Sequence, residues 1–235
     1  MTPEQRQQIK SIFVNFLRRR LKRVERLDLE DLNINPFLYR LLSRELGLRD
    51  ARSIVKWRMD QFFERGTVTS FGNVLEAIAR VFSEGTGVEG ADVMKTKEGT
   101  RYYIQVKSGP NTVPKDMATR LSNLLQSAQR RNRGSVALFG MCYGNEDQVS
   151  SIVQRYVQVD HLIGREFWEF ISGEPDCIGQ IYDIAAEVSY IFRDEKGRTL
   201  TQALDDKANE LASEFEQLYS ASGPEMWQAL LDRNS

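Results

Sequence analysis

Apolar residues recur every three or four positions through residues 1–66, the spacing of one buried face on an α-helix. The first helix has a defined start, because Thr2 at the N-cap and Gln5 three positions later form a capping-box pattern around a proline. Further helices are predicted over residues 35–47 and 50–66, each with Asn or Asp before it and Gly at its end. Together these elements predict a small helical subdomain over residues 1–66.

The pattern then changes to helix, hairpin, helix and strand. A helix capped by Thr69 or Ser70 is predicted to continue to about Phe82, and a Gly-rich loop over residues 84–90 follows it. Residues 91–107 contain a short polar turn between two strand-like runs, which predicts a β-hairpin.

A helix from Pro114 to about Arg131 and a strand buried on both faces over residues 135–143 complete this region. The helix is predicted to bury one apolar stripe, formed by Met117, Leu121, Leu124, Leu125 and Ala128. Strand, helix and strand in succession imply a crossover between parallel neighbours. The predicted fold class is therefore α/β, with a central mixed β-sheet flanked by helices in a core over residues 67–145.

The remaining region, residues 146–235, is predicted to be acidic and mostly helical. An aromatic segment over residues 167–171 is interpreted as core packing rather than as a platform for stacking bases. A long amphipathic helix is predicted from Leu200 to Tyr219. Its acidic flank favours packing on the core or at a dimer interface over contact with DNA.

The net charge of −1 conceals an uneven distribution. Residues 1–66 hold fifteen Lys and Arg against nine Asp and Glu, and residues 101–133 hold seven against one. Residues 140–235 reverse this balance, with seven basic and eighteen acidic side chains. Two basic blocks beside an acidic region indicate a face that binds a polyanion, although each block taken alone also fits an ordinary solvated face.

The histidine and cysteine content narrows the chemistry. A single histidine, His161, excludes metal hydrolases with two or more histidine ligands. It also counts against nucleases of the His-metal type, which need a histidine general base, because His161 is expected to be structural or merely exposed. The only cysteines, Cys142 and Cys177, lack CxxC spacing, so free thiols in a reducing cytoplasm are expected. A cytoplasmic location also fits a sequence without a visible secretory signal or membrane-length apolar stretch.

The predicted hairpin contains the candidate chemistry. Gln105 and Lys107 lie two residues apart on one strand and share a face, and Asp92 at the start of the other strand is expected to face the same way. An acid, an amide and an amine then converge, as a Mg²⁺-dependent phosphodiesterase requires.

Each of these groups has an expected role. Asp92 is the prime metal ligand, and the Gln105 amide oxygen and the Val106 carbonyl are expected to complete the ligand set. Lys107 is expected to orient the attacking water or to neutralise the phosphate. Glu76, on the preceding helix, is expected to support the metal from behind these ligands or to bind a second metal.

The segments Asn73-x-x-Glu76 and Asp92-x12-Gln105-x-Lys107 resemble the PD-(D/E)XK nuclease superfamily, specifically its type II restriction endonucleases. Residues 105–112 and 164–173 are similar to segments of enzymes that cut GGNCC or GGWCC palindromes. The resemblance implies Mg²⁺-dependent hydrolysis of both strands of a short palindromic duplex DNA site, giving 5′-phosphates, with Mn²⁺ as a substitute ion. It also implies a restriction-endonuclease-like core, a homodimer, and a cognate DNA methyltransferase that need not contact this chain.

Two features depart from the superfamily pattern. Gln105 stands where an acidic residue is usual, which removes a negative charge and weakens ion binding unless Glu76 compensates. Such a replacement also occurs in inactivated members. The eight residues between Ser83 and Asp92 leave room only for a short or irregular first strand in the core.

DNA contacts are expected from polar and basic side chains after the catalytic strand. These are Ser108, Asn111, Thr112, Lys115, Arg120, Arg130, Arg131 and Arg133. Three other functions stay open: a repair or junction nuclease with the same core, a catalytically inactive DNA-binding protein, and a purely structural α/β protein.

Overall fold

The computed structural model of the protein describes residues 1–85 and 89–234, which form nine α-helices and four β-strands. The helices are α1 (Pro3–Glu25), α2 (Pro36–Leu42), α3 (Ala51–Val81), α4 (Lys115–Arg131), α5 (Ser151–Tyr156), α6 (Arg165–Ser172), α7 (Cys177–Ile191), α8 (Leu200–Tyr219) and α9 (Gly223–Asp232). The strands are β1 (Val93–Lys97), β2 (Thr100–Lys107), β3 (Ser135–Met141) and β4 (Asp160–Ile163). None of the described helices combines the length and hydropathy needed to span a membrane.

The chain forms two compact units, each assembled from two separate stretches of sequence. Unit 1 contains Met1–Phe16 and Ser70–Ile191, and unit 2 contains Leu17–Thr69 and Phe192–Ser235. The C-terminal helices α8 and α9 therefore belong to the same unit as α2. The predicted division into a basic N-terminal, a catalytic and an acidic C-terminal segment follows the sequence instead, and it remains a prediction about function.

Unit 1 contains a four-stranded sheet in the order β1-β2-β3-β4. β1 and β2 are antiparallel and joined by Glu98 and Gly99, which have φ angles of 52° and 77°. Positive φ at both turn residues matches the twist of a tight hairpin. β3 pairs in parallel with β2, to which α4 connects it, and β4 pairs in parallel with β3. The α/β class, the hairpin and the parallel connection are confirmed.

Two features of the sheet are hard to predict from sequence: the short strand β4 and the irregular segment before β1. β4 was not predicted, since it has only four residues and starts with Asp160 and His161. Before the hairpin, Gly85 forms a single antiparallel bridge with Met94, and the Glu84 N–H donates to the Met94 carbonyl at 2.9 Å. The expected first strand is thus irregular in the described residues, and residues 86–88 of the Gly-rich loop lie outside them.

The helix α4 covers one face of the sheet with a different stripe from the predicted one. Its buried residues are Ala118, Ser122, Leu125 and Ala128. Met117 is 46% exposed, whereas Ala118 packs with Phe139 and Met141 of β3. The prediction was wrong at this end of the helix because it favoured large apolar residues, while the close approach to the strand requires small ones.

The aromatic residues of α6 pack beneath the same sheet. Phe167 and Trp168 are buried, which confirms their interpretation as core. Phe167 fills the space left by Gly140 of β3, where an added Cβ would stand 2.4 Å from the ring. The Trp168 indole N–H donates to the carbonyl of Cys142 at 2.7 Å and so anchors the end of β3.

The predicted helix end at Gly66 and the predicted cap of a new helix at Thr69 or Ser70 are wrong, because α3 continues without a break from Ala51 to Val81. Gly66 serves close packing instead, since a Cβ there would lie 3.0 Å from Nη2 of Arg20. The Thr69 hydroxyl donates to the carbonyl of Arg65 at 2.9 Å, the bond of a residue inside a helix rather than of a cap.

The core of unit 2 forms where α2, α3, α8 and α9 meet, around Leu48, Ile54, Met59, Phe215 and Leu230.

The predicted bounds of α8 are confirmed. The Thr2 capping box of α1 is also confirmed, because the Gln5 N–H donates to Thr2 Oγ1 at 3.2 Å. α2 ends at Leu42, before the predicted position, and turns fill residues 43–47.

Candidate active site

Asp92 is held at the open end of the hairpin by the neighbouring strand. Its N–H donates to the carbonyl of Ile104 at 2.9 Å, which places Asp92 immediately before β1 and beside the second half of β2. Its Oδ2 accepts hydrogen bonds from the N–H of Val106, at 2.8 Å, and from Nε2 of Gln105. The structure therefore brings Asp92 and Gln105 into direct contact.

Gln105 is a polar residue in a buried position, with 5% of its surface exposed. Since its amide nitrogen donates to Asp92, its amide oxygen is the atom that remains for a cation or another donor. Lys107 is the last residue of β2 and is half-buried on the same face of the strand. The carbonyl of Lys107 accepts the N–H of Cys142 at 2.9 Å, which fixes the strand at this residue.

The Val106 carbonyl lies on the edge of β2 that faces Asp92. Within a strand, alternate residues direct their backbone groups to the same edge. The carbonyl of Ile104 and the N–H of Val106 both bond to Asp92 on that edge. β1 starts at Val93, opposite Ile104, so no β1 partner in the described ladder covers Val106.

Glu76 reaches this region from α3. Its side chain is 23% exposed and forms an ion pair with Arg80, one turn further along the helix. The helix approaches β2 closely one turn earlier, since a Cβ at Gly72 would lie 3.7 Å from Oγ of Ser108. Glu76 therefore adjoins the site, but its described hydrogen bond goes to Arg80 rather than to Asp92 or Gln105.

The charges of Glu76, Asp92 and Lys107 all affect the pKa of the Cys142 thiol. Burial raises the pKa of Cys142 far above its ordinary value, and the negative charges of Glu76 and Asp92 raise this pKa further. The positive charge of Lys107 acts in the opposite direction. The charges of Glu76, Asp92 and Lys107 therefore all act on the buried residue that follows β3.

The oxygen atoms at this edge fit a hard divalent cation. Asp92 supplies a carboxylate, Gln105 an amide oxygen, Val106 a carbonyl, and Glu76 a second carboxylate on the adjoining helix. Among the described residues, no three His, Cys, Asp or Glu side chains form a metal-binding cluster. A cation held at this place would therefore need neutral oxygen atoms in addition to carboxylates.

The candidate DNA-binding residues occupy two separate places. Asn111 and Thr112 are exposed in the loop after β2, Ser108 is half-buried, and Lys115 and Arg120 are exposed on the first half of α4. The other three, Arg130, Arg131 and Arg133, lie at the end of α4, about 24 Å along the helix from Lys115 at 1.5 Å per residue.

Arg133 lies beside the hairpin turn, where it lines a surface recess with Thr96 and Gly99. That turn is at the opposite end of the strands from Lys107, and the structure does not bring Arg133 next to the site. Several of the candidate side chains have partners. Lys115 Nζ stands 5.0 Å from the Tyr156 ring, and Arg131 forms a 3.6 Å ion pair with Glu89. Arg130 Nη2 donates to Ser127 Oγ at 3.4 Å, and Thr112 Oγ1 donates to the Gly109 carbonyl at 2.9 Å.

Sequence reasoning missed two residues that shape the site. Arg80 pairs with Glu76, and the i, i+4 spacing of an acid and a base on a helix is a signal that identifies it. Trp168 holds the Cys142 carbonyl, a contact between distant parts of the chain for which the sequence contains no signal. His161 forms a 3.0 Å pair with Glu146 and takes no part in the site.

A comparison with known families finds a match for this chain. The family model described as type II restriction endonuclease EcoO109I matches residues 4–187. This range covers more than half of the chain and includes Glu76, Asp92, Gln105 and Lys107. No curated protein sequence matches the chain.

Proposed function

Because the chain belongs to the EcoO109I family of type II restriction endonucleases and is therefore an endodeoxyribonuclease, we propose that it cuts both strands of a short palindromic DNA site and leaves 5′-phosphates. The observation that carries this proposal is the Asp92 carboxylate, fixed by Gln105 and the Val106 N–H beside Lys107. A carboxylate and an amine presented together at the end of one hairpin suit hydrolysis of a phosphodiester.

Enzymes of this kind generally use a divalent metal, and we propose Mg²⁺ here, with Mn²⁺ as a substitute. Asp92, Gln105 and the Val106 carbonyl would hold it, with Glu76 as a supporting or second-metal ligand. A bound divalent cation makes water nucleophilic at neutral pH and neutralises charge on the phosphate. The hard oxygen donors described above suit Mg²⁺ better than a soft metal.

The protein side chains have separate tasks. Lys107 would hold the attacking water by hydrogen bonding and attract the scissile phosphate by its charge. Gln105 keeps Asp92 in one orientation, because two donors fix the same Oδ2 atom. Burial of Gln105 limits exchange of this pair with solvent, so the carboxylate is positioned before DNA arrives.

We further propose that duplex DNA lies across the loop after β2. Ser108, Asn111 and Thr112 would reach the groove or backbone beside the cut, and Lys115 and Arg120 would contact phosphates next to it. Arg130 and Arg131, at the other end of α4, would contact phosphates further along the duplex. A palindrome read by one kind of chain calls for a two-fold homodimer, and a cognate DNA methyltransferase in the same cytoplasm would protect the site.

One observation favours a second candidate function. The Gln105 amide nitrogen donates to Asp92, and the side chain has no negative charge to attract a metal ion. Both features also suit a catalytically inactive DNA-binding protein. A repair or junction nuclease with the same core is a third alternative, although no contact in the described residues favours it.

Incubation of plasmid DNA with the wild-type protein and with Lys107→Ala, with and without Mg²⁺, tests the proposal. We expect discrete double-strand fragments from the wild type only when Mg²⁺ is present, and a loss of about a hundredfold or more in Lys107→Ala. Lys97→Ala, on the exposed part of the same hairpin, is the matched control and should cut normally. Random nicks or cleavage selective for branched DNA would favour repair, and binding without cleavage under all divalent ions would contradict a nuclease.

A further inference from the structure

Unit 2 contains a cluster of arginines around one cavity. A cavity of about 380 Å³ between α1 and α3 is lined by Arg20, Arg23, Arg58, Phe62, Arg65 and Gly66. Four of these six residues carry a guanidinium group. No Asp or Glu lines the cavity within the part of the chain that the structure describes.

Arg20 is the buried member of this cluster. Only 8% of its surface is exposed, and its Nε has no hydrogen-bond partner among the described residues. Its Nη2 donates to the Phe63 carbonyl at 3.2 Å, and its guanidinium lies 4.9 Å from the centre of the Phe63 ring. A buried cation that keeps a free donor costs free energy unless an anion completes it.

The other arginines are partly committed, and they leave charge directed at the cavity. Arg58 donates from Nε to the Leu32 carbonyl and from Nη1 to Gln61 at 3.4 Å. Its Nη2 is then the nitrogen that remains to donate to a ligand. Arg23 stacks on the Phe62 ring at 5.2 Å and is 3.8 Å from Asp31, at the outer limit of an ion pair. Arg20 and Arg23 also repel one another, and burial together with this repulsion lowers the pKa of Arg20.

Gly66 gives the cluster its shape. Within the continuous helix α3, a Cβ at this position would lie 3.0 Å from Nη2 and 3.1 Å from Nη1 of Arg20. A glycine in a helix interior costs about 1 kcal/mol relative to alanine. Gly66 therefore makes α3 less stable at this position but leaves space for the Arg20 guanidinium.

We propose that Arg20, Arg23, Arg58 and Arg65 form a pocket that binds one phosphate group. Planar guanidinium groups suit the tetrahedral oxygens of phosphate because they donate two parallel hydrogen bonds each. The aromatic rings of Phe62 and Phe63 hold two of the guanidinium groups in place. The phosphate comes either from the backbone of bound duplex DNA or from a small phosphorylated molecule, and this pocket is separate from the catalytic residues, which all belong to unit 1.

The first test measures phosphate alone. Thermal unfolding is followed as potassium phosphate replaces potassium chloride at constant ionic strength, without any divalent ion. The variant Arg23→Gln/Arg65→Gln removes two cavity charges, and Arg19→Gln/Arg26→Gln removes two exposed charges of the same region outside the cavity. We expect saturable protection of the wild type and of the control, and an apparent Kd about tenfold weaker in the cavity variant.

The second test identifies the source of the phosphate. Binding of a labelled 20-base-pair duplex to the same three proteins is measured by fluorescence anisotropy at several salt concentrations, again without divalent ions. A DNA-backbone phosphate predicts weaker binding by the cavity variant and a log–log salt slope lower by about 0.9 for the lost contact. Unchanged duplex binding with weakened phosphate protection assigns the pocket to a small phosphorylated ligand.

Gly66→Ala separates binding from folding. The added methyl group crowds the Arg20 guanidinium but favours the helix, so we expect weaker phosphate protection without a loss of stability in chloride. The proposal is overturned if the cavity variant matches the wild type in both tests, or if the control loses as much as the cavity variant. Neither test requires cleavage, so a failure of the proposed nuclease activity would leave these outcomes readable.

Discussion

Asp92 in unit 1 is half-buried and Arg20 in unit 2 is buried, and the two charged side chains differ in how far the protein itself supplies their hydrogen-bond partners. The Asp92 Oδ2 is satisfied from within the hairpin, by a backbone N–H and by a side-chain amide. Arg20 has one bond to a carbonyl, a neighbouring like charge and an Nε without a partner in the described chain. The first arrangement is complete as a positioning device, whereas the second needs an external anion to become complete.

This difference predicts opposite consequences of mutation. Removing a charge whose bonds are built into the fold costs both function and stability. Removing one that lacks a full set of partners costs mainly the binding of its ligand. The following experiments test this contrast, in order of decreasing expected effect.

Asp92→Asn keeps the size of the side chain and removes its charge. We expect DNA cleavage to fall by about a hundredfold to a thousandfold, because the proposed metal ligand loses its negative charge. Cleavage rates at saturating Mg²⁺ and circular dichroism of the variant measure this. Asp160→Asn, at the exposed start of β4, is the control, and cleavage by Asp92→Asn within a few-fold of wild type would contradict the assignment.

Gln105→Glu replaces a donor to Asp92 with a second carboxylate. The two like charges raise the pKa of one carboxyl above its unfolded value, so the variant is relatively more stable at acidic pH and loses stability as pH rises from about 4 to 7. We expect a loss of about 1–3 kcal/mol at pH 7 without divalent ions.

Mg²⁺ should restore this stability, and Gln105→Glu should cleave DNA at a lower Mg²⁺ concentration than the wild type does. Urea unfolding at two pH values, with and without Mg²⁺, and cleavage titrations test both statements. Complete loss of cleavage in a folded variant would mean that the amide N–H of Gln105 is the essential group.

Glu76→Gln tests the acid on the adjoining helix. We expect a tenfold to hundredfold higher Mg²⁺ requirement for cleavage, the usual effect of losing a supporting group at a metal site. Arg80→Gln is the matched variant, since it breaks the same ion pair from the other side while leaving the acid free. If Arg80→Gln impairs cleavage as much as Glu76→Gln, the pair serves the structure of α3 rather than the metal.

Arg20→Met tests the other side of the contrast. Methionine fills a similar volume without a charge, and we expect the free energy of unfolding in chloride buffer to change by no more than about 1 kcal/mol. Phosphate protection should disappear. Urea unfolding decides the matter: a loss above about 2 kcal/mol would show that the bond to Phe63 holds the helices together and that Arg20 belongs to the scaffold.

The sequence predicted those parts of the molecule that depend on local rules. The hairpin follows from two strand-like runs around a tight turn, and its register makes Asp92 a neighbour of Gln105 without further information. The capping box at Thr2 and the bounds of α8 also depend on adjacent residues only. Family resemblance added the activity, which these local rules do not contain.

The errors arose where distant residues override local preference. Glycine often ends a helix. At Gly66, however, α3 continues, and the Arg20 side chain of another helix occupies the space beside the glycine. Ala118 lies on the buried stripe of α4 because the strand is close, which residue size alone does not indicate. The arginine cavity was likewise beyond prediction, since it unites residues of α1 and α3 that lie more than thirty positions apart in sequence.

The two buried cysteines have a practical consequence for studying this molecule. Both Cys142 and Cys177 lie out of contact with solvent, and burial raises the pKa of each thiol. Alkylating reagents react with an exposed thiolate. While the protein stays folded, both side chains are therefore protected by burial and by their raised pKa. A single cysteine introduced on the surface can therefore carry a fluorophore or spin label without prior removal of the native pair, which allows distances to be followed during DNA binding in an otherwise unaltered chain.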